Sequence, residues 1–244
     1  MNNNKKLSQT AGTVGGMTLI SRLLGFIRDL VIGMQFGATF VADAFFVAFR
    51  IPNVQRKILG EGAISAAFIP VFTEIRNKKG EEDAWKMAAN LFNILLTILI
   101  TSSLALALFA PYIIMVFAPG FPQTSEKFNL TVLLAQWMAP YFLFIGLAVF
   151  CMGILNTYNK FALPAITPAI LNICMILGTL IISPKLDQPI LGLAVGVITG
   201  GLLQFVIQIP AIIRCGFKFI PSIDWKNYET LRIGKLMIPA IFGL

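Results

Sequence analysis

Arg22, Arg28, Arg50, Arg56 and Lys57 stand inside two otherwise apolar stretches, GGMTLISRLLGFIRDLVIGMQFG and FVADAFFVAFRIPNVQRKILGEGAISAAFIPVF. A guanidinium presents its N–H donors as a planar fork that fits phosphate and carboxylate oxygens in pairs. A charged side chain at bilayer depth costs roughly 2.5–3.5 kcal/mol on insertion scales. Such groups persist where they face protein or water rather than lipid. Five cations with few acids beside them describe a wet, positive cavity, and its natural occupant is an anion.

Helical geometry sorts these residues further. At about 100° per residue, positions seven apart fall nearly on one face. Asp43, Arg50 and Lys57 follow that spacing, and Glu61 returns to the same face after five full turns. Asn53 lies roughly 80° from the stripe. Arg56 lies roughly 140° from it, toward a neighbouring helix or the cytoplasmic rim. In the first stretch Arg22 and Asp29 share a face with Arg28 beside it. Pro52 leaves the carbonyl of Ala48 without its donor, which predicts a kink near Ala48–Pro52. Gly60 and Gly62 allow close approach or a hinge. Ion pairing is the competing account: Asp29 with Arg22 or Arg28, Asp43 with Arg50, Glu61 with Lys57. It serves single residues but leaves cations in excess. A voltage sensor repeats arginine every third residue along one helix; here the spacing is six, over two helices.

These side chains need membrane helices to position them. The chain of 244 residues is 57% hydrophobic and 12% charged, about half the charge of a soluble domain. Met87–Ser125, Phe128–Asn159, Phe161–Pro184 and Gln188–Ile213 are uncharged, and each exceeds the roughly 20 residues that cross a hydrocarbon core. Six spans are predicted, over Thr10–Gly33, Val41–Phe72, Met87–Phe117, Leu130–Thr157, Pro164–Ser183 and Pro189–Ile213, with a seventh beginning at Leu231. Lys5 and Lys6 resemble the start of a signal peptide, but Arg22 and Arg28 make this a retained span. Of the loop cations, 12 fall on one side and only Lys127 and Lys185 on the other, which puts the N-terminus in the cytoplasm. The net charge of +8 is mostly this bias, and no soluble basic domain exists to bind nucleic acid. The absence of histidine excludes imidazole catalysis and His-ligated metal. Cys151, Cys174 and Cys215 lack CxxC spacing and read as packing residues, so no metal and no cofactor is expected. Asn172 and Gln204 read as buried amides bridging helices, and Gly192, Gly200 and Gly201 as close-packing positions.

Several blocks together resemble a known family. They are SRLLGFIRD (Ser21–Asp29), FGA with ADAFFVAFRIPN (Phe36–Asn53), EGAISAAFIPVF (Glu61–Phe72), APGF (Ala118–Phe121), PY (Pro140–Tyr141), GILNTYNKFALPAITPAILN (Gly153–Asn172) and GGLLQFVIQIP (Gly200–Pro210). In this order and spacing the chain resembles the MurJ/MviN family of lipid II flippases, within the multidrug/oligosaccharidyl-lipid/polysaccharide exporter superfamily. The resemblance implies an all-α integral membrane protein with two lobes around a central cavity. This chain would supply the six-helix N-terminal lobe (residues 1–230) and the start of a seventh span (231–244). It implies cavity arginines at Arg22, Arg28 and Arg56, an acid at Asp43, and a gate region containing Glu61 and Ser65. Asp29, Arg50, Asn53 and Lys57 join them as cavity support from the stripe. The implied cargo is lipid II, undecaprenyl-diphosphate-linked disaccharide-pentapeptide, moved across the cytoplasmic (inner) membrane without bond-making, so no enzyme is expected. The expected partners are membrane lipids and a second lobe from another chain, the chain being read as a fragment or truncated frame that does not flip alone. Two alternatives stay open: a flippase for another lipid-linked oligosaccharide, and an inactive or regulatory single-lobe module. A multidrug exporter would place acids, not cations, in the lumen.

Overall fold

The computed structural model describes residues 2–242; the side chains of residues 2–11, 61–63, 65 and 240–242 lie outside that description. The described residues form helices and turns, with no strand among them. Helix α1 (Asn2–Phe36) is 35 residues long, about 50 Å. It ends at Gly37, whose φ of 63° makes the sharp turn that glycine tolerates. Helix α2 (Phe40–Lys57) runs on through a π-wound segment (Ile58–Phe68) into α3 (Ile69–Lys79). Gly80, at φ 99°, stops it. Helix α4 (Glu81–Leu108) opens with Glu81, Glu82 and Asp83, acids that suit the positive N-terminal end of a helix. Then follow α5 (Ala110–Phe117), α6 (Glu126–Trp137), α7 (Ala139–Thr157) and α8 (Ala162–Leu177). After α8 the winding loosens at Gly178–Ile182 and tightens at Ser183–Lys185; α9 (Ile190–Val206), α10 (Ile209–Ile213) and α11 (Tyr228–Phe242) complete the order.

The six expected spans are present. Four are long and apolar enough to cross a membrane by composition alone: Glu81–Leu108, Ala139–Thr157, Ala162–Lys185 and Ile190–Ile213. Two predicted spans are broken. The third divides at Phe109 before Pro111, and the fourth at Met138 before Pro140, because proline cannot donate to the preceding turn. The second span departs from α geometry at Ile58 rather than at Pro52, which sits inside α2. Beyond Ile58 the backbone is π-wound, so the 100° spacing that placed residues on the Asp43 stripe applies only up to Lys57. The side chains of Glu61 and Ser65 lie outside the described residues.

Two apolar clusters fill the two ends. One holds Ile32, Phe45, Ile114, Leu134, Tyr141 and Leu193; the other holds Phe68, Phe72, Phe92, Phe150, Ile154 and Phe217. The main partner of α1 is α8, and α1 meets α2 only marginally. A cleft therefore opens between the two charge-bearing helices, with α8 behind it. Helices α8 and α9 touch backbone to backbone. A Cβ on Gly196 would lie 2.6 Å from the carbonyl of Cys174, and one on Gly200 would lie 2.7 Å from Leu171 Cδ1. Small residues are what permit this approach in a bilayer.

Candidate functional site

The cleft between α1, α2, α8 and α9 is a cavity of about 660 Å³. Arg28 enters it from α1, Arg50, Asn53 and Arg56 from α2, Asn172 from α8 and Gln204 from α9. Phe46, Phe49, Pro168, Leu171 and Met175 make the apolar remainder of the wall. Three of the five intramembrane cations thus share one cavity. Arg56, placed off the stripe by spacing, faces the same space because α8 and α9 pass on its side of α2. It also lines an adjoining pocket of about 300 Å³ with Gly60, Met152 and Gln208.

Arg28 is held in place by its neighbours. Its Nε and Nη2 donate to Asp29 Oδ1 at 2.9 and 2.7 Å, and its Nη1 donates to Asn172 Oδ1 at 2.8 Å. Asn172 in turn donates through Nδ2 to the carbonyl of Ser21 at 3.0 Å. The amide so bridges two turns of α1 and packs beside Gly25, where a Cβ would stand at an ordinary contact distance of 3.5 Å from Asn172 Nδ2. Of the guanidinium's five N–H bonds, three are committed. One remains on each terminal nitrogen, the pair that can fork onto two oxygens. The Arg28 side chain is 22% exposed, enough to reach a ligand. Asn53 donates to the Phe49 carbonyl at 3.1 Å, one turn back, which keeps its donor within α2. Phe49 is fixed from behind by Phe45 and Tyr141, ring centroids 5.5 and 5.8 Å away.

Electrostatically the cavity is positive. Arg28 has the Asp29 carboxylate, but Arg50 and Arg56 have no ion-pair partner among the described residues. Asp43 does not hold Arg50. It pairs with Lys127 of α6 at 2.8 Å, at the end of the molecule away from the cavity, and Lys127 also sits over the Phe121 ring. Arg22 and Lys57 are exposed and stand outside the cavity lining. Arg22 lies about 9 Å along α1 from Arg28. Asp29 touches the cavity through Arg28 alone. Sequence reasoning singled out Arg28, Arg50, Asn53 and Arg56; it read Asn172 and Gln204 as interhelical hydrogen bonders, which they are, but not as part of the cavity. No spacing rule links Asn172 to a residue 144 positions earlier. Among the described residues no group of acids and cysteines is placed to hold a metal ion.

Residues 32–244 match the family described as Lipid II flippase MurJ. The chain belongs to this family. It is 41% identical to the probable lipid II flippase MurJ of Vibrio cholerae, over 99% of this chain and 47% of that one. It is 35% identical to the lipid II flippase MurJ of Burkholderia cenocepacia, over 95% of this chain and 46% of the relative. A solved structure of a lipid II flippase MurJ in an inward closed conformation superposes with a TM-score of 0.79 at 30% identity, covering 94% of this chain and 46% of that one. An outward-facing multidrug transporter of the MATE family shares the fold alone, at a TM-score of 0.66 and 15% identity. The chain spans about half the length of the curated relatives it matches. It is a multi-pass membrane protein of the MurJ family, with the fold of an exporter's N-terminal lobe.

Proposed function

We propose that this chain forms the cargo-gripping wall of a lipid II flippase, and that Arg28, Arg50 and Arg56 bind the diphosphate of the lipid-linked precursor. The observation that carries the reading is the convergence of three guanidinium groups in one cavity, with no carboxylate among the described residues that line it. Each phosphate of a diphosphate diester bears one negative charge. Two such charges meet three guanidiniums, one of them already shared with Asp29. Charge-assisted, forked hydrogen bonds are the strong form of this contact, and the apolar wall of Phe46, Phe49, Leu171 and Met175 lowers the local dielectric and strengthens it. The head group is screened inside the cleft while the polyprenyl tail stays in lipid. Arg22, one to two turns from Arg28 on α1, meets the head group as it enters or leaves. Asp43, Lys57, Glu61 and Ser65 serve the ends of the path rather than the grip.

Transport then follows by alternating access, one lobe rocking against a second. No bond is made or broken. The loop cations set the membrane orientation, with the N-terminus and the turn at Gly80 in the cytoplasm and the turns at Gly37 and Leu186 outside, in the inner membrane of the cell. A flippase for another lipid-linked oligosaccharide needs the same diphosphate grip, and the residues described do not read the sugar. A cationic-drug exporter is disfavoured by the sign of the cavity.

The test uses the purified chain in nanodiscs. Farnesyl diphosphate should bind and farnesol should not, the affinity should fall steeply with salt, and Arg28→Ala should reduce the preference roughly ten- to a hundredfold. Equal binding of both probes would overturn the reading.

A further inference from the structure

At the end of the molecule opposite the Asp43–Lys127 pair, α11 is held on α3 by crossed charges. Glu74 of α3 pairs with Arg232 of α11 at 2.8 Å, and Lys79 of α3 pairs with Glu229 of α11 at 2.9 Å. Within α11, Glu229 and Arg232 approach to 4.0 Å. Each helix thus offers one acid and one base, and each finds its opposite on the other, so only one register satisfies both pairs. Lys78 takes the second oxygen of Glu74 at 2.9 Å, and Lys78 with Arg232 holds the Glu74 carboxyl below the usual carboxylate range.

The segment before α11 is fastened differently. Residues 217–227 carry no regular helix, and α4 grips their backbone with two asparagines one turn apart. Asn90 donates to the Asp224 carbonyl at 2.9 Å and accepts from the Asp224 N–H at 2.6 Å. Asn93 donates to the carbonyls of Ile220 and Ser222 at 2.6 and 2.8 Å. These amides are buried, whereas Lys79 and Arg232 are 54% and 39% exposed. Past the ion pairs, α11 lies along the π-wound segment, with Ile233 buried beside the inner apolar cluster.

The two fastenings differ in how easily they release. Breaking a buried amide grip strands backbone groups away from water. Partly exposed ion pairs, here with Glu74 34% and Glu229 17% exposed beside their cations, hold less firmly, and their charges return to solvent when they part. A strap that stays and a helix start that lets go make a hinge and a catch.

We propose that Glu74, Lys79, Glu229 and Arg232 form a releasable clasp that fixes α11 against α3 in one transport state and opens in another, with the Asn90–Asn93 strap as its hinge. This rests on the alternating-access reading above, in which α11 begins the body that rocks against the six-helix lobe. The test needs no cargo, so failure of the clasp and failure of the diphosphate grip are separate results. Spin labels go on the exposed positions Asn77 and Lys235 of the full chain in nanodiscs, and their distance distribution is measured by pulsed double-resonance spectroscopy. Glu74→Lys or Arg232→Glu should raise the long-distance population by up to about fivefold, the scale of an exposed ion pair. Combining the two changes should restore the parent distribution, and raising salt on the unsubstituted chain should mimic the single changes. Where Glu74→Lys fails to fold, Glu74→Gln and the salt series give the same readout. Unchanged distances in the single variants, or a double variant as open as either single, would overturn the clasp.

Discussion

Replacing Asn172 by leucine would separate holding a guanidinium from being one. The substitution removes the 2.8 Å bond from Arg28 Nη1 and the 3.0 Å bond to the Ser21 carbonyl, while Asp29 keeps its two contacts with Arg28. The interhelical bond to Ser21 is worth roughly 0.6 kcal/mol, the average for such bonds inside membranes, so the fold should survive. Its effect on binding comes through order. A long side chain that must be immobilised on binding costs about 0.5–1.5 kcal/mol, so the Kd for farnesyl diphosphate should rise roughly two- to twelvefold. Arg28→Ala removes a charge-assisted contact outright, about 1.5–3 kcal/mol, or roughly ten- to a hundredfold. Because Asn172 acts through Arg28, the double variant should bind no more weakly than Arg28→Ala alone. The assay is titration of the purified chain in nanodiscs, with thermal unfolding as the control for fold. If Asn172→Leu binds like the parent, the amide is only packing. If its cost adds in full to that of Arg28→Ala, Asn172 touches the ligand itself and the positioning argument fails.

Arg28→Lys, Arg50→Lys and Arg56→Lys keep charge but lose the fork, so each should weaken diphosphate binding about tenfold with unfolding unchanged; if lysine serves as well at all three positions, the cavity is only an electrostatic funnel. Gly196→Ala drives a methyl to 2.6 Å from the Cys174 carbonyl and 3.0 Å from Met175 Cα, both backbone. It should cost about 1–3 kcal/mol in the unfolding midpoint measured in mild detergent, since neither helix can yield alone. For the orientation, Lys79→Cys should stay unlabelled by an impermeant maleimide in intact cells while Gln123→Cys is labelled; the reverse pattern would invert the topology.

The spans were legible because composition and length decide them. Four uncharged runs need no partner to be recognised as helices. The positive cavity was legible too, from the bare cost of five charges in apolar segments. What spacing could not supply is which helices meet. Asp43 lies on the same α2 face as Arg50, yet Lys127 claims it because α6, not α1, packs along that end of α2. Arg56 points away from the stripe, yet faces the cavity because α8 and α9 bring Pro168 and Gln204 to its side. A stripe measures direction around one helix, and a cavity is made by the helices across from it. The π winding at Ile58–Phe68, against which α11 and α7 pack, has no signature in residue spacing.

The cations of the cavity are arranged by how firmly they are held. Arg28 has a carboxylate and an amide, and its remaining donors are aimed by them. Arg50 and Arg56 have neither among the described residues, and Arg56 also lines a second pocket. A site made only of fixed, paired guanidiniums would bind an anion tightly and release it slowly. A site made only of free ones would lose affinity to the cost of ordering each side chain. On the proposed reading, one anchored guanidinium sets the position of the phosphate and Arg50 and Arg56 close on it, which gives recognition without a deep trap. A carrier needs that compromise, because the same grip must form on one side of the membrane and fail on the other. Tethering Arg50 or Arg56 by a new hydrogen bond should therefore strengthen binding and slow transport together. A glutamate at Asn53, three residues along α2 from both Arg50 and Arg56, should remove positive charge and weaken both binding and transport. If Asn53→Glu binds farnesyl diphosphate as tightly as the parent, the free guanidiniums are bystanders and Arg28 alone carries the grip.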